Sequence, residues 1–216
     1  MKIALVFYGQ PRNVKENYES FQKNILDGND VDIFAHIWDV GGINECFESY
    51  DFKKVKVEPQ NNFEDFYIGK TGLAKFQNNA PMWYSTQSGC DVLKEYVDET
   101  NTHYDFVIRV RYDIFFRHKI DFTQLDKDFI YVSEAAWAGS HMWDDSWGIS
   151  GYENYVKIYS DLFTNYYNKH LNSQFIDRSE QNFWEHVNEK GLQDSIKRER
   201  MINFALYRDK HTHYEY

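Results

Sequence analysis

Cysteine, proline and cationic charge are all scarce in this sequence, and each scarcity removes a class of protein. Two cysteines, Cys46 and Cys90, stand alone, with neither the spacing of a zinc site nor the number of a disulfide framework, so reduced thiols and a cytoplasmic setting are expected. Three prolines and eleven scattered glycines leave no linker tract, and no repeat suggests a solenoid. A formal net charge of −10 opposes a broad nucleic-acid footprint, which needs a positive field. The opening MKIALVFYGQPR carries an apolar run too short for a signal peptide, and nothing approaches the ~20 apolar residues of a membrane span. A soluble protein is expected. The P-loop, G-x-G-x-x-G, G-x-S-x-G and H-E-x-x-H signatures are absent from the sequence, which weakens phosphotransfer, Rossmann redox, α/β-hydrolase and zincin readings.

Aromatic residues, by contrast, make up 19% of the 216 residues. They supply core volume or flat, polar-edged surfaces for sugars and bases. The length suits one domain over residues 1–216. Residues 3–8 form an unbroken apolar run closed by Gly9-Gln10-Pro11, the pattern of a central parallel strand. Asn13 and Glu16 suit a capping box for a helix bearing Val14, Tyr18, Phe21 and Ile25. Residues 31–38 read as a second strand and 53–58, alternating lysine and valine, as an edge strand. Loop is expected from 59 to 82 with one short helix, then a helix from 85 to 99 capped by Ser85. A long strand is expected over 104–116, further strands at 129–133, 147–150 and 196–207, and helices around 156–166 and after an Asp177/Glu180 capping box. A polar tail from 209 to 216 follows. The β-α-β order predicts an α/β fold whose mostly parallel central sheet is flanked by helices.

Chemistry-bearing residues collect where such sheets bind ligands, at strand carboxyl ends. Arg109, Arg111 and Asp113 alternate along one strand and so share a face. Buried charges must either satisfy one another or meet a charged ligand and a metal. Tyr8-Gly9-Gln10-Pro11-Arg12 is either an ordinary turn or a loop in which glycine admits a ligand and Arg12 forks onto phosphate. His36 and Trp38 share a face, His36 being a histidine satisfied by backbone or a contact to ribose or base. Asp144-Asp145, between Trp143 and Trp147, suit an exposed acidic turn or a general base beside a sugar-stacking platform. His211 and His213 are tail residues or late metal ligands.

Gly9-Gln10-Pro11-Arg12, His36-Ile37-Trp38, Met82-Trp83-Tyr84-Ser85 and Arg109-Val110-Arg111-Tyr112-Asp113, in that order, resemble glycosyltransferases of the GT-A type from large algal viruses and related microbes. The resemblance spans most of residues 1–186. It implies a GT-A fold, a nucleotide-diphosphosugar donor carrying UDP, and a divalent cation, Mn²⁺ or Mg²⁺. It implies donor contacts from Tyr8, Gly9, Gln10, Arg12, His36, Ser85, Arg109 and Arg111, and transfer of a hexose or deoxyhexose to a glycan or glycoprotein. For a viral protein the setting would be the host cytoplasm. The family's D-x-D motif corresponds here to Arg111-Tyr112-Asp113, so Asp113 alone carries the metal-ligand role, with Asp144, Asp145, His211 and His213 as further candidates. Asp145 is the expected base, with Asp144 beside it. An inert carbohydrate- or nucleotide-binding module and a sugar nucleotidyltransferase stand as alternatives, the first because the acidic motif is incomplete.

Overall fold

The computed structural model describes residues 1–71, 78–132, 146–174, 178–198, 204–207 and 213–215. The apolar run at the start becomes β1 (Lys2–Gly9), whose six interior residues are all buried. It pairs in parallel with β2 (Asp30–Asp39) on one side and β4 (Phe106–Arg111) on the other. Beyond β2 lies β3 (Phe52–Pro59), the alternating strand, at the sheet edge. Its lysines blunt that edge against further strand pairing. On the far side of β4 come β7 (Trp147–Ser150), which is antiparallel, then β6 (Ile130–Val132) and β8 (Ile196–Arg198), giving the order β3-β2-β1-β4-β7-β6-β8. This is the expected helix-flanked, mostly parallel α/β sheet.

Two apolar layers cover it. Odd residues of β1, with Ile108 and Val110 of β4, pack against α1 (Val14–Phe21) and α2 (Ile43–Ser49). Phe7 stacks on Tyr112 with ring centroids 4.5 Å apart. Even residues of β1, with Phe34 and Val107, face α4 (Asn79–Thr100), α5 (Tyr152–Tyr159), α6 (Leu162–His170) and α7 (Ser179–Glu189). Each large apolar side chain fully buried this way contributes roughly 1.5–3 kcal/mol. A short helix, α3 (Glu64–Tyr67), precedes α4, as the loop reading allowed. Among the described residues no helix is long and apolar enough to cross a membrane.

Several local expectations are corrected. Asn13 adopts φ 53° and makes no side-chain cap, and α1 ends in a π-helical turn over Gln22–Leu26. Ser85 is no cap, because α4 begins six residues earlier, with Pro81 in its first turn, where the missing N–H costs nothing. Helix is interrupted between α5 and α6 at Ser160-Asp161. Glu180 lies in the first turn of α7, but the cap position is Arg178, and Asp177 lies outside the described residues. The strand expected over 196–207 is two strands, β8 and β9 (Phe204–Tyr207), in different sheets. Within the polar tail, β10 (His213–Glu215) pairs antiparallel with β9.

The most consequential correction concerns residues 104–116. The chain leaves the main sheet after Arg111, turns through Tyr112-Asp113, and enters β5 (Ile114–Phe116), which joins β9 and β10 in a small antiparallel sheet. Three buried polar residues on the sheet-facing side of α1 and its π-helical turn grip this path. Asn17 Nδ2 donates to the Tyr112 carbonyl at 3.0 Å, Ser20 Oγ accepts from the Phe116 N–H at 2.7 Å and donates to its carbonyl at 2.9 Å, and Asn24 Nδ2 donates to the same carbonyl at 2.6 Å. Backbone groups lost to the main sheet are thereby paired inside the core.

Candidate functional site

Parallel register places one row of residues across four strands: Lys56, His36, Tyr8 and Arg111 are cross-strand neighbours in turn. Side chains of such a row point to the same face, here the α4 face. The row lies at the carboxyl ends of β1, β2 and β4, and the next residues form the loops above it.

Gly9 ends β1 at φ 97°, a left-handed conformation that glycine adopts without strain. After it, Gln10 hydrogen-bonds to Gln60 just beyond β3, and the Arg12 N–H donates to the Gln10 carbonyl at 2.9 Å, leaving the Arg12 side chain exposed. Gly42, also at φ 97°, packs directly on the Pro11 carbonyl, so the loop after β2 braces the loop after β1 where a side chain would not fit.

His36 is fully buried. Its Nδ1 lies 2.6 Å from Ser85 Oγ and its Nε2 2.8 Å from Glu58 Oε1, while the Gly9 N–H donates to Ser85 Oγ at 2.7 Å. Burial drives the His36 pKa down to about 4, against the opposing hydrogen bond and charge of Glu58. Burial also pushes the Glu58 carboxyl up, but hydrogen bonds from His36, Tyr84 and Lys56 outweigh it and hold the group below its ordinary value. Tyr84 stacks on Trp38 with centroids 5.4 Å apart, and Lys56 sits 5.5 Å from the Tyr84 ring. An aromatic wall of Trp38, Tyr84, Phe63 and Phe163 results.

The expected Arg109–Arg111–Asp113 group divides. Arg109 is 1% exposed. Its guanidinium lies 5.0 Å from the ring centres of both Tyr8 and Tyr159 and 5.8 Å from that of Phe183, and donates to Tyr8 Oη at 2.8 Å. Such a cation between aromatic faces is held by cation–π attraction. Tyr8 is equally buried and its hydroxyl donates a hydrogen bond to the Ser146 carbonyl at 3.2 Å. Arg111 is part-exposed at the strand end and pairs with Asp113, which is 2% exposed and sits in the turn beyond the strand.

One oxygen of Asp113 is taken by Arg111, and the other is buried with no hydrogen-bond partner among the described residues. That orphaned carboxylate oxygen suits a hard cation. Among the described residues no group of three His, Cys, Asp or Glu side chains could hold a metal ion, and the carboxylate that this turn offers is that of Asp113. Magnesium is commonly bound this way, with substrate phosphates and water completing the shell. Asp144, Asp145 and His211 lie outside the described residues, and of His213 only the backbone, in β10, is described.

The structure therefore brings together Gly9, Gln10, Arg12, His36, Ser85, Arg111 and Asp113 around one end of the sheet, with Tyr8 and Arg109 supporting them from the interior. Glu58 and the Asn17–Ser20–Asn24 stripe are additions to the residues singled out from sequence, and Tyr84, quoted there within the Met82–Ser85 motif, gains a place beside Glu58. The stripe had a signal, polar residues at helical spacing among the apolar positions of α1.

No protein-family model matches the chain, and no curated protein matches its sequence. Solved structures do match, among them the apo form of the glycosyltransferase GlyE from Streptococcus pneumoniae TIGR4, at 14% identity and a TM-score of 0.47. That likeness covers 93% of this chain and 45% of the other, so the chain spans less than half of that protein's length. At this identity and TM-score it says nothing of activity.

Proposed function

We propose that this chain is a glycosyltransferase that moves a hexose or deoxyhexose from a UDP-linked donor to a hydroxyl of a glycan or glycoprotein. The observation that carries this reading is the convergence of the Gly9–Arg12 loop, the His36–Trp38 strand end and the Arg111–Asp113 turn at adjacent carboxyl ends of β1, β2 and β4. Sugar transfer leaves a nucleoside diphosphate, whose developing charge must be met by fixed cationic groups. Arg12, exposed on the loop, and Arg111, paired with Asp113, are the groups placed to meet it. Tyr84, part-exposed and stacked on the buried Trp38, offers an aromatic ring for a base or sugar. Arg109 and Tyr8 set the row from below without touching the donor. A divalent cation bound with the diphosphate would neutralise part of the leaving charge, and Asp113 is the residue to hold it. Asp145, with Asp144 beside it, remains the proposed acceptor base on sequence grounds.

The test is a thermal-shift panel of nucleotide-sugars with and without Mn²⁺. A ligand at one hundred times its dissociation constant stabilises the folded state by about 2.7 kcal/mol. UDP-sugars are expected to raise the melting temperature, more so with Mn²⁺. A panel in which no nucleotide-sugar moves it contradicts the reading.

A further inference from the structure

Gly9, Ser85, His36 and Glu58 come from β1, α4, β2 and β3, yet form one unbroken hydrogen-bonded chain. The direction of every hydrogen in it can be worked out. An ionised carboxylate only accepts, so the proton facing Glu58 belongs to His36 Nε2. A neutral imidazole carries one proton, which leaves Nδ1 bare. Ser85 must then donate its hydroxyl hydrogen to Nδ1, and its lone pair is left for the Gly9 N–H. The chain thus runs from the Gly9 amide through the buried Ser85 and His36 to Glu58, which is part-exposed and steadied by Lys56 and Tyr84. Among the described residues, the titratable groups around His36 are Glu58 and Lys56 of β3, Tyr84 of α4 and Tyr8 beside it on β1, with the neutral Ser85 hydroxyl on Nδ1.

Both His36 and Ser85 are 0% exposed. Neither can touch a donor, and the Gly9 N–H, turned toward α4, cannot either. We infer that Glu58, His36 and Ser85 are positioning residues, a relay that fixes the Gly9 amide and through it the course of the Gly9–Arg12 loop. The inference rests on the reading of that loop as the diphosphate-facing loop. The strand β3 and the residue that follows it then hold the loop at two points, through this relay at Gly9 and through Gln60 at Gln10. Linked hydrogen bonds in a low-dielectric interior strengthen one another, and loop order paid for before binding is not charged to the ligand.

The experiment uses the full chain, with UDP as probe. Nitrogen NMR of His36 in the free protein is expected to show the proton on Nε2, and the Gly9 amide is expected to exchange slowly with solvent. Ser85→Ala removes the acceptor and should make the Gly9 amide exchange fast. It should also raise the Kd for UDP about tenfold, or ~1.4 kcal/mol. His36→Asn places an amide oxygen where Nδ1 was but falls short of Glu58, so Gly9 protection and UDP affinity are expected to lie between those of the parent and of Ser85→Ala. A proton on Nδ1 of His36 in the free protein overturns the relay, whether or not Ser85→Ala folds. So does a folded Ser85→Ala variant with parental Gly9 exchange and UDP affinity. A parent that binds no UDP defeats the proposed function instead, while the tautomer and the Gly9 exchange still decide the relay.

Discussion

Replacing Asp113 with Asn separates a metal-holding carboxylate from a structural one. The side chain is 2% exposed, with one oxygen on Arg111 and the other unpartnered among the described residues. Asn keeps the size and an acceptor for Arg111 but removes the charge. A hydrogen bond to a charged group is worth about 1.5–3 kcal/mol net against about 1 for a neutral one, so roughly 1 kcal/mol of stability should be lost. Arg111 is part-exposed, which keeps the loss below the ~3–5 kcal/mol for stranding a fully buried ion. For a chain of this length that is about 2–4 °C in Tm. The larger effect should fall on the ligand response, where the about 2.7 kcal/mol gained from saturating donor loses its Mn²⁺-dependent part. Differential scanning calorimetry of parent and variant, each with and without UDP-sugar and Mn²⁺, reads both quantities. A variant that loses roughly 3 kcal/mol or more without ligand, yet gains as much from Mn²⁺ and donor as the parent, would refute the reasoning.

Three further outcomes are expected. His36, neutral when folded with a pKa near 4, takes up protons on unfolding below about pH 6.5, so its contribution is full above that pH and lost as pH falls toward 4. The contribution amounts to about 3 kcal/mol. His186 is shifted the same way by burial, so the measurement is the parent-minus-His36→Asn difference in urea stability across this window, and a pH-independent difference contradicts the assignment. Arg12→Ala should weaken UDP binding by calorimetry while changing stability by less than about 0.5 kcal/mol, and unchanged affinity would remove Arg12 from the site. Ser20→Ala should cost about 1–3 kcal/mol by stranding the Phe116 N–H in the core, and a chemical-denaturation loss below that range would mean that another group serves it.

How much of this was legible in the sequence depends on where each deciding contact lies. The strand β1 was readable because burial on both faces writes itself as an unbroken apolar run, and β3 because an edge strand alternates. The end of β4 was not, since Tyr104–Phe116 continues its apolar pattern through the turn at Tyr112-Asp113. The bond that helps fix that turn comes from Asn17, 95 residues away. Ser85 looked like a cap because it precedes helically spaced apolar residues, whereas Pro81 in the first turn of α4 marked the true start. His36 and Ser85 were singled out as donor contacts, yet their places in the interior suit support of the loop. Glu58 was invisible as their partner, because pairing a β2 histidine with a β3 glutamate requires the register, which alternation alone does not supply.

The central claim is sugar transfer from a nucleotide donor, and donor hydrolysis tests it most directly. Incubated with UDP-hexoses and Mn²⁺, the purified chain is expected to release UDP, detected by chromatography, with the release reduced in the Arg12→Ala and Asp113→Asn variants. Binding of the same UDP-hexoses without any release of UDP, in the presence or absence of glycan acceptors, would contradict the account and leave the chain as a binding module.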